Sequence, residues 1–183
     1  HTPGPLGEDV RENISSVELA TRTMSTYGQL FQSGDKNVLG DGIYADPEFF
    51  RMFSFQILSG SSMPIGVDKT SVALSKSLAE KLFGEEDPIG KVIKYQKNYD
   101  LEVKAVFKDV GTESSIRFEY ILPFEIFKEI RGAGYNWGNY DHPHYLKLTD
   151  AGKSDEVTRM MNERRDKVKD EDDGVVFSMQ PFV

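Results

Sequence analysis

Apolar residues Leu6, Val10, Ile14 and Val17 recur at i, i+4, i+8 and i+11 through LGEDVRENISSV, which predicts an amphipathic first helix that turns at Ser15 and Ser16. VELATRTM then reads as a strand, and YGQLFQSGDKNVLGDGIYA as a hairpin whose two apolar runs flank a Ser-Gly-Asp-Lys-Asn turn. In DPEFFRMF, Asp46 stands as an N-cap and Pro47 at the first helical position, a helix start that turns Phe49, Phe50 and Phe53 inward. From Thr70 the pattern is a strand (SVAL), a helix over 75–83 with Leu78, Ala79, Leu82 and Phe83 on one face, and a strand (KVIKY). YQKNYD turns the chain into the alternating LEVKAVFKDV. After a GTESS loop come a strand (IRFEYILPF) and a short helix (FEIFKEIR). RGAGYNWGNYDHP has no period and reads as a surface loop. The last elements are a strand (HYLKL), a helix from about Ser154 with Val157, Met160, Met161 and Val168 on one side, an acidic turn (DEDDG) and a closing strand (VVFSMQ). This irregular alternation without a repeat predicts an α+β fold rather than a doubly wound sheet.

One stretch of this pattern imitates a nucleotide-binding loop. LFGEEDPIGKV carries two glycines and a lysine, but a phosphate-cradling loop is G-x-x-x-x-G-K-[ST], entered from a strand and leaving into a helix so that backbone N–H groups face the anion. Here five residues separate Gly84 from Gly90, Val92 replaces the hydroxyl residue, and Glu85, Glu86 and Asp87 would repel a triphosphate. The element order is helix, turn, strand, with Ser75 as N-cap and Gly84 closing the helix. A plain connection is the expected reading.

Composition narrows the function classes. The chain has 183 residues, a formal net charge of −8 and no cysteine, which excludes disulfide and thiolate chemistry and opposes a nucleic-acid partner. No run approaches the ~18 consecutive apolar residues of a membrane span. With no initiator methionine and no signal peptide, HTPGPLG is expected to begin a piece of something longer.

Candidate chemistry is sparse. Asp141, His142 and His144 in DHPH suggest a metal, yet proline holds the pair extended so that the two rings diverge, and no third ligand is near in sequence. Residues 170–173 lack the spacing and closing glutamate of a calcium loop. There is no G-x-S-x-G elbow, and among 30 acidic residues a chance carboxylate pair decides nothing. No catalytic, cofactor-binding or metal residue is therefore expected. Tyr135, Trp137 and Tyr140, rigid amphipathic rings on a Gly-rich loop, are the candidates for partner contact, against a simpler role in packing under that loop.

Three segments, DPEFFRMFSFQILSG, SVALSKSLAEKLFGEEDPIGKVI and VKAVFKDVGTESSIRFEYILPF, resemble the extracytoplasmic core domain of MacB/FtsX-type ABC transporter permeases, most of all that of four-span permeases of Bacteroidetes-like bacteria. TPGPLGEDVRENISSVELATR resembles the segment after the family's first membrane span, and FSMQPF the strand leading back to the second, so nearly the whole chain is covered. The resemblance implies a discontinuous Porter-like α/β subdomain (1–52 and 140–183) with a central Sabre-like α/β subdomain (53–139) inserted. The family has one more extended segment ahead of TP-x-PL, so an uncovered Porter-like sheet edge is implied here. The resemblance also implies a non-catalytic domain in the periplasm, anchored to the inner membrane, without cofactor. Its partners would be a cytoplasmic ATPase subunit, reached through membrane spans, a second permease copy, and a periplasmic adaptor or outer-membrane component. A free secreted or periplasmic ligand-binding module, using the Trp137 loop, is the rival reading.

Overall fold

A computed structural model describes residues 1–112, 114–132, 135–168 and 174–181. Its strands are β1 (Thr2–Pro3), β2 (Val17–Ser33), β3 (Lys36–Ala45), β4 (Ile57–Gly60), β5 (Ser71–Ser75), β6 (Val92–Tyr95), β7 (Tyr99–Phe107), β8 (Tyr120–Pro123), β9 (Tyr140–His142) and β10 (His144–Leu148). Its helices are α1 (Leu6–Asn13), α2 (Phe49–Met52), α3 (Lys76–Phe83), α4 (Phe124–Arg131) and α5 (Ser154–Val168). The fold is α+β, and the chain divides into two compact units, His1–Arg22 with Arg131–Val183, and Thr23–Ile130.

In the unit formed by both ends of the chain, the first part of β2 pairs antiparallel with β10, and β1 pairs with β9. Leu6, Val10 and Ile14 from α1, Val17 and Ala20 from β2, Val157 and Met161 from α5, and Phe177 form one apolar core. The two helices are also joined by charge: Arg164 donates from Nε and Nη2, one edge of its guanidinium, to the two oxygens of the Asp9 carboxylate, Nη2 at 2.6 Å from Oδ1. The closing strand expected over 175–180 is not a strand. Its backbone is claimed instead by a side chain of α5, since Asn162 Oδ1 accepts from Phe177 N–H at 2.7 Å and Asn162 Nδ2 donates to Phe177 C=O at 3.0 Å. The buried stripe of α5 also differs at its end: Val157, Met161 and Arg165 face in, while Val168 is 47% exposed. Arg165 takes that place because its guanidinium lies 6.0 Å from the centre of the Phe177 ring. The expected acidic turn falls on residues 170–173, outside the described residues.

In the central unit the strand pairings return on themselves. β2 bonds to β3, β3 to β8, β8 to β5, β5 to β7, β7 to β6, and β6 back to β2 at Phe31↔Tyr95, with β4 on the other edge of β7. The β3–β8 and β5–β7 pairs are parallel and the others antiparallel. Alternation then sorts side chains: Ile43, Ala45, Ala73, Ala105 and Ile121 share one face with Phe49, Phe107 and Phe118. On the other side Phe31 packs edge-on to Tyr120 at 4.7 Å, and Tyr44 and Tyr95 share a 2.6 Å hydrogen bond between hydroxyls.

Several local readings are corrected by these long-range demands. VELATRTM and YGQLFQS, read separately from the sequence, form one strand, because a bulge between Thr26 and Gln29 keeps the ladder going. Gly28, at φ +60°, donates its N–H to Asp41 Oδ1 at 2.7 Å there. The helix at DPEFFRMF shrinks to Phe49–Met52 with Glu48 at the cap position, as Phe53 turns extended and Phe55 stacks on Phe49 at 5.3 Å. IRFEYILPF enters the sheet only at Tyr120. Residues 140–142 of the expected loop are β9, and β1 and β4 were not legible. Ser75 caps α3 as expected, accepting from Leu78 N–H at 3.3 Å. Asp109 adds a second clamp through Ser77 N–H and Oγ. Burial pushes the Asp109 pKa up, but hydrogen bonds from Ser77 and Ser75 together with the Lys76 charge hold it below its ordinary value.

The expected Sabre-like span began at 53, whereas the central unit begins at Thr23. The hairpin accounts for this placement, since β3 bonds to β8 from Gly42↔Tyr120 to Ala45↔Pro123.

Two substitutions probe this frame. A Cβ on Gly42 would lie 2.5 Å from the buried Tyr120 ring, so Gly42→Ala is expected to destabilise by about 1–3 kcal/mol in urea unfolding. Ser75→Ala removes the α3 cap and is expected to cost about 1 kcal/mol in the same measurement.

Candidate functional site

The loop that imitates a phosphate cradle spends its donors internally. Gly84 N–H reaches Glu80 C=O at 2.8 Å, Ile89 N–H reaches Asp87 Oδ1 at 3.0 Å, Gly90 N–H reaches Val103 C=O at 2.9 Å and Lys91 N–H reaches Pro88 C=O at 3.1 Å. Lys91 Nζ is paired with Glu86 and stands 5.3 Å from the centre of the Phe83 ring. The Lys91 hydrogen bond and charge hold the Glu86 carboxyl below its ordinary pKa. Gly84 and Gly90 have φ +67° and +79°, the left-handed geometry that closes a helix and enters a strand. The amides of Gly84, Ile89, Gly90 and Lys91 and the Lys91 ammonium are thus already engaged.

The densest polar arrangement lies in the unit formed by the chain ends, around Arg22, which is 2% exposed. β2 carries this side chain inward, opposite His144 of β10. Nη1 donates to Gly4 C=O at 3.1 Å and to the Tyr135 hydroxyl, and Nη2 donates to Glu8 Oε1 at 2.9 Å. The guanidinium carbon also sits 5.4 Å from the Tyr135 ring centre. Gly4 must be glycine for this, because a Cβ there would penetrate the Tyr135 ring. Next to it, Thr2 Oγ1 donates to His142 C=O at 3.0 Å and meets His144 Nδ1 at 2.7 Å. Asp141 receives Arg131 Nη2 at 2.7 Å and stands 2.9 Å from His142 Nε2. Burial, then the Arg22 charge, pulls the His144 pKa down to about 3.

The two histidines of DHPH are thus engaged separately, His144 with Thr2 and His142 beside Asp141. Among the described residues no group of three or more His, Cys, Asp or Glu is assembled as metal ligands. The three aromatic candidates are all half-buried but divide between two places. Tyr135 is bound to Arg22, whereas Trp137 and Tyr140 pack on the apolar core of their unit, with Tyr140 6.2 Å from the Phe177 ring. Sequence reasoning missed Arg22 and Glu8. The available signal was a lone arginine inside the apolar run VELATRT, which a buried strand tolerates only with partners.

Residues 1–164 match the family described as MacB-like periplasmic core domain. Among solved structures, a domain of a protein described as a permease from Porphyromonas gingivalis is 26% identical, with TM-score 0.77, covering 92% of this chain and 78% of that one. The extracellular domain of the noncanonic ABC-type transporter YknZ from Gram-positive bacteria shares the fold at 17% identity and TM-score 0.63, covering 91% and 84%. The periplasmic region of MacB from Actinobacillus actinomycetemcomitans does so at 15% and 0.67, covering 91% and 75%. No curated protein matches the chain. Matched over 164 of its 183 residues, and folded like three domains of this kind, the chain belongs to the family of MacB-like periplasmic core domains.

Proposed function

We propose that the chain is the non-catalytic extracytoplasmic domain of an ABC transporter permease, standing in the periplasm and moved by ATP hydrolysis at a cytoplasmic ATPase during export or extrusion of a substrate. The family match over residues 1–164 carries this reading. None of the described helices is long and apolar enough to cross a membrane, so the spans that deliver the motion would belong to the parent protein. The unit built from both chain ends is the Porter-like part and the unit Thr23–Ile130 the Sabre-like part. A second permease copy is the first partner, and a periplasmic adaptor or outer-membrane component the second. The outward edges of Tyr135, Trp137 and Tyr140 are the proposed contact residues for such a partner.

Physical support comes from how the end-formed unit is braced. Its two border residues along the chain are both held by side-chain bonds, Arg22 by Gly4, Glu8 and Tyr135, and Arg131 by Asp141. A displacement entering through the N-terminal residues therefore reaches β2 through bonded groups, and packed bonded elements transmit a two-state movement where loose ones absorb it.

The gene of the parent protein tests the reading: apolar segments of ~20 residues should flank the chain on both sides, and their absence would reject it. The brace has its own signature in unfolding experiments. Glu8→Ala leaves the buried Arg22 cation without its carboxylate and is expected to cost about 3–5 kcal/mol. Arg22→Met leaves Glu8, whose side chain is 42% exposed, to be solvated, and is expected to cost about 1–3 kcal/mol. The reverse order would show that the guanidinium is not held as described.

A further inference from the structure

We propose that the N-terminal strap, residues 2–7, is an acid-released latch: a proton taken up by the His144 ring unseats the strap from β9 and β10. The inference concerns this unit alone and stands whether or not the transport reading holds.

The tautomer follows from counting protons. Thr2 has one hydroxyl hydrogen, and it goes to His142 C=O at 3.0 Å. The 2.7 Å contact between Thr2 Oγ1 and His144 Nδ1 must then be donated by Nδ1–H, so Nε2 carries the bare lone pair. Nε2 has no exposed surface and no hydrogen-bond partner among the described residues. Protonation would place a cation there, in a site where every charge is already committed. From β2 comes the Arg22 guanidinium, the register partner of His144. From α1 comes Glu8, bonded to Arg22. From β9 come Asp141, taken by Arg131, and His142 beside it. His1 touches the Asp141 backbone carbonyl at 3.2 Å, and the Tyr135 hydroxyl is bonded to Arg22. The carbonyls of Gly4 and His142 face the ring and favour its charged form, but burial and then the Arg22 charge outweigh them.

Nor can the ring turn away, since a Cβ on Gly7 would lie 2.7 Å from His144 Cδ2, which shows how closely α1 covers it. What can yield is the strap. Its ladder is the two-residue β1, and Pro3 has no N–H to contribute. The His144–Thr2 contact therefore joins the Thr2 bond to His142 C=O, the Arg22 bond to Gly4 C=O and the buried Leu6 in seating it. The closed strap refuses a proton down to about pH 3, while an open strap would leave the ring near the ordinary histidine value of about 6.5. Folded-state affinity is depressed, so the closed form is fully favoured above about pH 6.5 and loses ground as pH falls, by about tenfold in the opening constant per pH unit.

Amide hydrogen exchange of the whole chain, followed by NMR between pH 7.5 and 5 and corrected for intrinsic rates, reads this directly. At Thr2, Gly4, Leu6 and Gly7 the opening constant is expected to rise about tenfold per pH unit below about 6.5, while amides of β5 and β7 stay level. His144→Asn keeps an N–H near the Nδ1 position but cannot take the proton, and should abolish the slope. A level wild-type profile overturns the proposal, and so does a slope that survives in His144→Asn, which would assign it to His142 or His1. Should His144→Asn fail to fold, the wild-type His144 ring resonances decide. A ring that stays neutral until the strap amides open supports the latch, and one that titrates near pH 6.5 with the strap closed overturns it.

Discussion

A guanidinium has five N–H donors, no acceptor and a charge it does not give up, so burying one obliges its surroundings to bring acceptors to it. Arg22 imposes that obligation at the end of the first β2 ladder. The acceptors arrive from places that are remote in sequence: the strap carbonyl of Gly4, the α1 carboxylate of Glu8 and the loop hydroxyl of Tyr135. Because those groups must converge, the beginning of the chain and the segment after residue 131 are drawn into one unit. The same cation then sets the chemistry next to it. Burial first, and then the Arg22 charge, disfavours a second cation beside it, so His144 is kept neutral in contact with Thr2.

The central unit obeys a different constraint, the closure of strand pairing. A circuit running β2, β3, β8, β5, β7, β6 and back to β2 leaves few edges and fixes which side chains meet inside it. Its cost is a demand for small residues where strands carry large rings. Gly42 lies under Tyr120, and Ala73 and Ala105 lie side by side on β5 and β7. The lookalike phosphate loop belongs to this circuit. Its glycines serve the exit from α3 and the entry to β6, and its lysine and glutamate neutralise each other at the surface.

These two constraints explain where function can reside. Among the described residues, the polar groups that converge at Arg22 are bonded to one another and to the Gly4 carbonyl. A unit braced by bonded buried groups suits the mechanical role proposed for it, and Trp137 and Tyr140 pack against the apolar core of the same unit.

Elements whose signals are local were legible from residue order alone. Ser75 announces α3 because a cap acts within three residues, Gly84 ends it because only a residue tolerant of positive φ closes the last turn, and the i, i+4 stripe of Leu6, Val10 and Ile14 declares α1. The α+β class and the family likeness followed from such signals in series. What only the tertiary structure decided are the features whose cause lies far along the chain. β1 and β9 are too short to carry a period and exist because they meet each other, and residues 175–180 lose their expected strand to the amide of Asn162. Glu8 and Arg22, fourteen positions apart, become partners only when helix and sheet are packed. Residue order determined which local shapes were affordable, and burial of one cation, together with a sheet that closes on itself, determined which of them met.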